Sequence, residues 1–210
     1  MTSSPRLTSI GLDFDNTVAI YDRLLHTCAV EHYGMPRDVP AGKKAIRGWF
    51  WSQKDGNTPW TELQGVMYGT RIGEADLAPG LEELLLECAR RGVRVGVVSH
   101  KTEFPALGPR VSLREAAKGF LEVRGFFTKL GLDRKDVFFE STLQAKVERV
   151  LTEGHGAFVD DLPDVFAHPG FPAGVTKVLY DPAGVHEATP GVHAGRGFDA
   201  IRELLLGPRA

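Results

Sequence analysis

Cysteine is scarce: the 210 residues hold only Cys28 and Cys88, enough for one bridge at most, and both fall where the pattern is helical. They read as small buried apolar side chains in a reducing compartment, so the expectation is a cytoplasmic protein. Long hydrophobic runs are missing as well. No stretch approaches the roughly 18 to 20 apolar residues of a membrane-spanning helix, and the N-terminal apolar stretch is interrupted by Asp13 and Asp15. Neither a signal peptide nor membrane contact is expected. Charge of one sign is not in excess: 25 Lys and Arg face 27 Asp and Glu, a net of −2. That balance gives no overall pull toward nucleic acid. Walker-type loops and a Gly-x-Gly-x-x-Gly turn before a helix are absent, as are internal repeats, low-complexity tracts and long charge runs. His186 and His193 lie in a Gly/Pro-rich stretch without the partner spacing of a zinc site.

What is present is the composition of a globular chain, 42% hydrophobic and 25% charged, sized for one domain with a small insertion. Five strand-like runs can be read: residues 7–14, 93–98, 137–139, 156–159 and 176–180. They alternate with helical patterns. The clearest helix begins after Pro79-Gly80, with Leu81, Leu84, Leu85 and Cys88 on one face, Glu82 and Glu83 early, Arg90 and Arg91 late, and Gly92 closing it. Ser112 with Glu115, and Ser141 with Gln144, read as capping boxes of two further helices, and Phe198, Ile201, Leu204 and Leu205 suggest a closing one. Residues 181–197 read as loop. Strands alternating with helices imply an α/β fold, a Rossmann-like doubly wound parallel sheet, because parallel neighbours need crossover connections. The exception is residues 20–78, mainly helical and too long for a crossover. They read as a small inserted helical cap, with residues 1–19 and 79–210 forming the core domain.

Several polar groups fall at the C-terminal ends of separate strands: Asp13 and Asp15, Ser99, the Lys146 region, and Asp160 with Asp161. In open α/β sheets ligands bind at that edge. Converging carboxylates repel one another unless a hard divalent cation neutralises them, and Mg2+ suits a site of oxygen ligands beside a phosphate. Lys146 flanks the apolar stripe of its helix, in the second turn, where the helix dipole gives a cation no help. Such a lysine is placed to face an anion.

The run Gly11-Leu12-Asp13-Phe14-Asp15-Asn16-Thr17-Val18 resembles the first motif of the haloacid dehalogenase superfamily, Asp-x-Asp-x-Thr after an apolar strand. Ser99 resembles its second motif, Lys146 its third, and Asp160-Asp161 with nearby Asp164 its acidic fourth, in the family's order. The resemblance implies a Mg2+-dependent phosphatase acting on a small-molecule phosphate ester. Asp13 would be the nucleophile that becomes an aspartyl phosphate, and Asp15 the acid and then base. Ser99 and Lys146 would bind the phosphoryl group. Metal would be held by the Asp13 carboxylate, the Asp15 backbone carbonyl and Asp160 or Asp161, with Asp161 slightly favoured by register. The acid at position 15 favours phosphatases and phosphomutases over dehalogenases. A phosphomutase or other phosphotransferase, and a non-catalytic binding module, are the alternatives.

Trp49, Trp51 and Trp60 all fall in the insertion beside Phe50, close in sequence to Lys43, Lys44, Arg47 and Lys54. Either these aromatics form the small core a helical cap needs, the preferred reading, or they grip substrate together with the cations. His100 and Lys101, directly after Ser99, either touch substrate or shape the loop. Paired caps could make a homodimer contact.

Overall fold

A computed structural model describes residues 7–208; the outermost parts of the expected core domain, residues 1–6 and 209–210, lie outside the described residues. In chain order the elements are β1 (Ser9–Leu12), β2 (Ala19–Ile20), α1 (Asp22–Tyr33), α2 (Lys43–Trp51), α3 (Asn57–Tyr68), β3 (Asp76–Leu77), α4 (Leu81–Arg91), β4 (Arg94–His100), α5 (Leu113–Val123), β5 (Val137–Glu140), α6 (Leu143–Thr152), β6 (Ala157–Asp160), α7 (Pro163–Ala167), β7 (Thr176–Tyr180), β8 (Val192–Gly195) and α8 (Phe198–Leu206). They divide into two compact units. One comprises Met1–Val18, Ala78–His100 and Gly125–Ala210, so far as these are described; the other comprises Ala19–Leu77 and Lys101–Arg124.

The first unit is built on a six-stranded sheet of order β5-β4-β1-β6-β7-β8, with every neighbouring pair parallel. Its central strands are apolar without alternation because both faces are covered. Val98, Phe158 and Leu179 join Val147 and Val150 of α6 and Val165 and Phe166 of α7 in one cluster. Their neighbours Val97, Val159 and Val178, equally buried, point to the opposite face by the two-residue period of a strand. Each such side chain contributes about 1.5 to 3 kcal/mol by leaving water. The sheet is thus the doubly wound α/β arrangement expected.

Three local features differ from the sequence reading. The sheet gains β8 inside residues 181–197, which read as loop: four residues flanked by glycine and proline leave too little periodicity to register. Helix α6 is capped by Thr142, whose hydroxyl accepts the Ala145 N–H at 3.1 Å, and not by Ser141. The segment Lys101–Arg124 clusters with the insertion instead of the core domain. It does so because α5 packs on α3 and on the short turn Ile72–Glu74, and the Arg124 guanidinium donates to the Ala75 carbonyl. Its predicted capping box is present at the Ser112 end, where the hydroxyl accepts the Glu115 N–H at 3.2 Å.

The second unit is mainly helical, closed at its ends by the antiparallel pairing of Ala19 with Leu77 and Ile20 with Asp76. Phe50 and Trp60 are buried in it, with Tyr33 edge-on to Phe50 at 5.2 Å. The preferred aromatic-core reading therefore holds for these two. Trp51 is instead 59% exposed, with the Arg47 guanidinium 4.7 Å from its ring centre.

One buried titratable group stabilises the first unit in a pH-dependent way. The His155 ring shares a hydrogen bond with Ser9 Oγ through Nδ1 at 2.8 Å and covers Gly11 and Gly96, which pair across β1 and β4. A Cβ on Gly96 would stand 2.8 Å from the ring, and one on Gly11 2.7 Å from the ring and 2.5 Å from Phe158, so neither position has room for a side chain beside the imidazole. Burial, reinforced by the charge of Arg94, lowers the His155 pKa to about 4. The neutral ring is favoured in the fold, so its contribution is complete above pH 6.5 and is lost as pH falls from there toward 4. Over that window the loss runs at up to about 1.4 kcal/mol per pH unit. Chemical denaturation at a series of pH values is expected to show this slope, and His155→Gln to make it shallower by up to one proton. An unchanged slope in the variant would mean that the ring is not held neutral.

Candidate active site

Strand period explains how distant residues meet on one face of the first unit. Leu12 pairs with Val159, and the ladder continues one residue further, where the Asp13 N–H donates to the Val159 carbonyl at 2.8 Å. Asp13 follows Gly11 by two residues and Asp160 follows Phe158 by two, so both carboxylates belong to the face covered by α6. From α6, next to the packed Val147, comes Lys146. Its ammonium donates to Asp13 Oδ1 at 2.5 Å and to Asp160 Oδ2 at 2.6 Å.

All three groups are buried, Lys146 to 2% exposure and Asp160 to 0%. Burial opposes the charged form of Lys146, but Asp13 and Asp160 outweigh it and raise its pKa, so the ammonium persists. Burial together with the negative charge of Asp13 pushes the Asp160 carboxyl well above the usual range, against the pull of Lys146 and of the Leu162 N–H on Oδ1. One ammonium between two carboxylates does not satisfy both. Asp161 adds a third: oxygens of Asp13, Asp160 and Asp161 all lie within 4.8 Å of one another.

Carboxylates this close to one another repel unless positive charge is placed among them. A hard divalent cation supplies that charge, and an all-oxygen donor set suits magnesium over softer metals. The residues present therefore fit the metal. Asp15 is half-buried and its carboxylate lies outside this group; the sequence reading gave it only a backbone carbonyl as ligand. Asp164 sits in the first turn of α7 and is also outside the group.

Ser99 is buried at the C-terminal end of β4, the strand beside β1. His100 follows it, exposed, with Nε2 3.1 Å from the Ser141 carbonyl, which favours the loop-shaping reading for this residue. Thr17 was not singled out from sequence beyond its place as the last letter of the Asp-x-Asp-x-Thr run. Its hydroxyl is fully buried and has no hydrogen-bond partner among the described residues. A buried hydroxyl without a partner is costly unless a water or ligand meets it. Asn16, the residue before Thr17, has a left-handed backbone, φ 59°.

Solved structures resemble this chain over nearly its whole length. The HAD-hydrolase YfnB of Bacillus subtilis, described as bound to magnesium, superposes with a TM-score of 0.59 at 15% identity, covering 95% of this chain and 99% of that one. A putative phosphoglycolate phosphatase from Lactobacillus delbrueckii gives 0.58 at 14% identity over 97% of this chain and 100% of its own. Protein tyrosine kinase A of Mycobacterium tuberculosis gives 0.61 at 19% identity over 96% and 99%. The chain has the haloacid dehalogenase fold. No family model matches it, and no curated protein matches it in sequence. In a haloacid dehalogenase fold the sheet edge occupied by Asp13, Ser99 and Asp160 is the ligand-binding edge of any open α/β sheet. Among the described residues no helix is long and apolar enough to cross a membrane.

Proposed function

We propose that this protein is a magnesium-dependent phosphatase that hydrolyses a small phosphomonoester through an aspartyl phosphate on Asp13. The observation that carries the reading is the buried Lys146 ammonium shared by Asp13 and Asp160, with Asp161 in the same carboxylate group. A carboxylate crowded by other acids becomes a usable nucleophile toward a phosphoryl group only where positive charge is built in around it.

An Asp13 oxygen forms a bond to phosphorus while the ester P–O bond breaks with its electron pair, and Asp15 gives a proton to the departing alcohol oxygen. A water then loses a proton to Asp15 and attacks the phosphorus of the acyl phosphate. The bond to Asp13 breaks, phosphate leaves and the carboxylate is regenerated. Ser99 donates its hydroxyl proton to a phosphoryl oxygen, and Lys146 offsets the charge of nucleophile and phosphate. The metal would be held by the carboxylates of Asp13 and Asp161 and the backbone carbonyl of Asp15, and when bound it neutralises charge on the phosphoryl oxygens. Asp161 is slightly preferred over Asp160 by its register with the acidic fourth motif.

The fold alone does not choose the acceptor, since a structural neighbour is named as a tyrosine kinase. Inorganic phosphate released in step with ester consumption separates a phosphatase from a phosphomutase, and no turnover at all would leave a binding module. Treatment with EDTA is expected to lower phosphate release by about 100-fold or more, and magnesium to restore it. Full turnover in metal-free buffer would remove the metal from the reading.

A further inference from the structure

Helix α2, in the second unit, keeps its apolar and its charged residues on separate sides. Ile46 and Phe50 are buried, whereas Lys43, Lys44, Trp51 and, just past the helix end, Lys54 are exposed, with Arg47 half-buried among them. Positions 43, 44, 47 and 51 follow one another at helical steps of three and four, so they form one contiguous stripe. Within it the Arg47 guanidinium lies 4.7 Å from the centre of the Trp51 ring, and that residue is 59% exposed.

The charge of this stripe is not neutralised within the molecule. No Asp or Glu occurs from residue 43 to residue 54, and among the described residues Lys43, Lys44, Arg47 and Lys54 form no ion pair. Other cations of the same unit are matched: Arg23 meets Asp76 at 2.8 Å, Arg71 meets Glu31 at 2.7 Å and Glu74 at 2.6 Å, and Lys118 meets Glu115 at 2.8 Å. Nor does the charge serve the helix itself. Lys43 and Lys44 fall in its first turn, where the helix dipole disfavours cations, and no acidic residue accompanies them there. Unmatched positive charge around an exposed indole complements a negatively charged partner.

We propose that the exposed face of α2 docks an acidic segment of another protein, whose carboxylates meet Lys43, Lys44, Arg47 and Lys54 while one apolar side chain covers Trp51. Arg47 is central to the arrangement. Its planar fork takes a carboxylate through two N–H groups, and the Trp51 ring beside it restricts the fork beforehand. Tryptophan and arginine are also the residues that most often dominate protein interfaces. Other anionic occupants fit this face less well. The apolar side of α2 is buried in its own unit, which leaves a single indole to enter a lipid surface. Single-stranded nucleic acid calls for successive aromatic platforms, and Trp51 is the one exposed aromatic of α2, Trp49 being half-buried and edge-on to Phe50. A second copy docked by the same face would set like charges against each other. The proposal stands apart from the phosphatase reading.

The test selects short random peptides on the full-length protein and measures the enriched ones, labelled, by fluorescence anisotropy; phosphatidylserine vesicles and oligothymidine are measured alongside. Enriched peptides are expected to be acidic, to carry an aromatic or aliphatic residue, and to bind more weakly as salt is raised. Arg47→Glu and Trp51→Ala, each checked by its melting curve, are expected to weaken binding at least about 10-fold. The double variant Lys43→Glu with Lys44→Glu is expected to weaken it most at low salt. Enrichment of neutral or basic peptides, or of none, overturns the proposal, and so do acidic peptides that bind the folded variants as tightly as the wild-type protein. Tighter binding of vesicles or oligothymidine, lost in the same variants, gives the face to lipid or nucleic acid and overturns a protein segment as its occupant. Turnover is read in none of these arms, so a failure of the phosphatase reading leaves their outcome unaffected.

Discussion

Asp13→Asn should stop phosphate release while leaving the protein folded. An amide oxygen is a far weaker nucleophile than a carboxylate, and the variant has no route to the acyl phosphate. A fall of at least about 10⁴-fold in kcat is expected, equivalent to about 5.5 kcal/mol of lost transition-state stabilisation. Stability is expected to change little by comparison. The substitution is nearly isosteric, and the Lys146 ammonium keeps its contact with Asp160 Oδ2, so no charge is left buried without a partner. Steady-state phosphate release and a thermal melt on the same sample check both halves. Undiminished turnover would move the nucleophile elsewhere; a collapsed melt would show that the pairing with Lys146 holds the fold as well as the chemistry.

The site was legible in the sequence to the extent that it depends on strand ends. Asp13 and Asp160 each stop an apolar run, and the two-residue period carries both to the face of α6 without further information. Lys146 was legible as an anomaly, a cation beside an apolar stripe in the wrong half of the helix dipole, and the structure resolves it as the partner of two carboxylates. What the sequence did not disclose depends on contacts made at a distance. Residues 101–124 carry a well-formed capping box and an amphipathic helix, which identify α5 but not what its apolar face covers; packing on α3 assigns it to the insertion. Strand β8 is an edge strand of four residues whose pairing with β7 supplies what its own pattern lacks. The choice between Ser141 and Thr142 as cap differs by one residue, a difference decided by backbone geometry and not by residue type. Gly11 and Gly96 look like weak points in two buried strands until the His155 ring is set over them.

Lys146→Met should cost both activity and stability, and the two losses can be separated. Methionine matches the length and much of the packing of the lysine stem, so the change chiefly removes the ammonium that two buried carboxylates share. Removing one partner of a buried ion pair typically costs about 3 to 5 kcal/mol because the remaining charge stays desolvated. In a chain of this length that corresponds to a fall in Tm of roughly 6 to 20 °C. Adding Asp160→Asn to the variant removes one of the two stranded carboxylates and is expected to recover about half of the lost stability, with no recovery of phosphate release. Magnesium should raise the Tm of Lys146→Met more than that of the wild-type protein, since the cation then supplies the positive charge the lysine no longer brings. Recovery of turnover in the double variant would reduce Lys146 to a structural counter-ion. An equal magnesium response in both proteins would mean that ammonium and metal do not share the same carboxylates, and the acids would then have to be assigned to two separate sites.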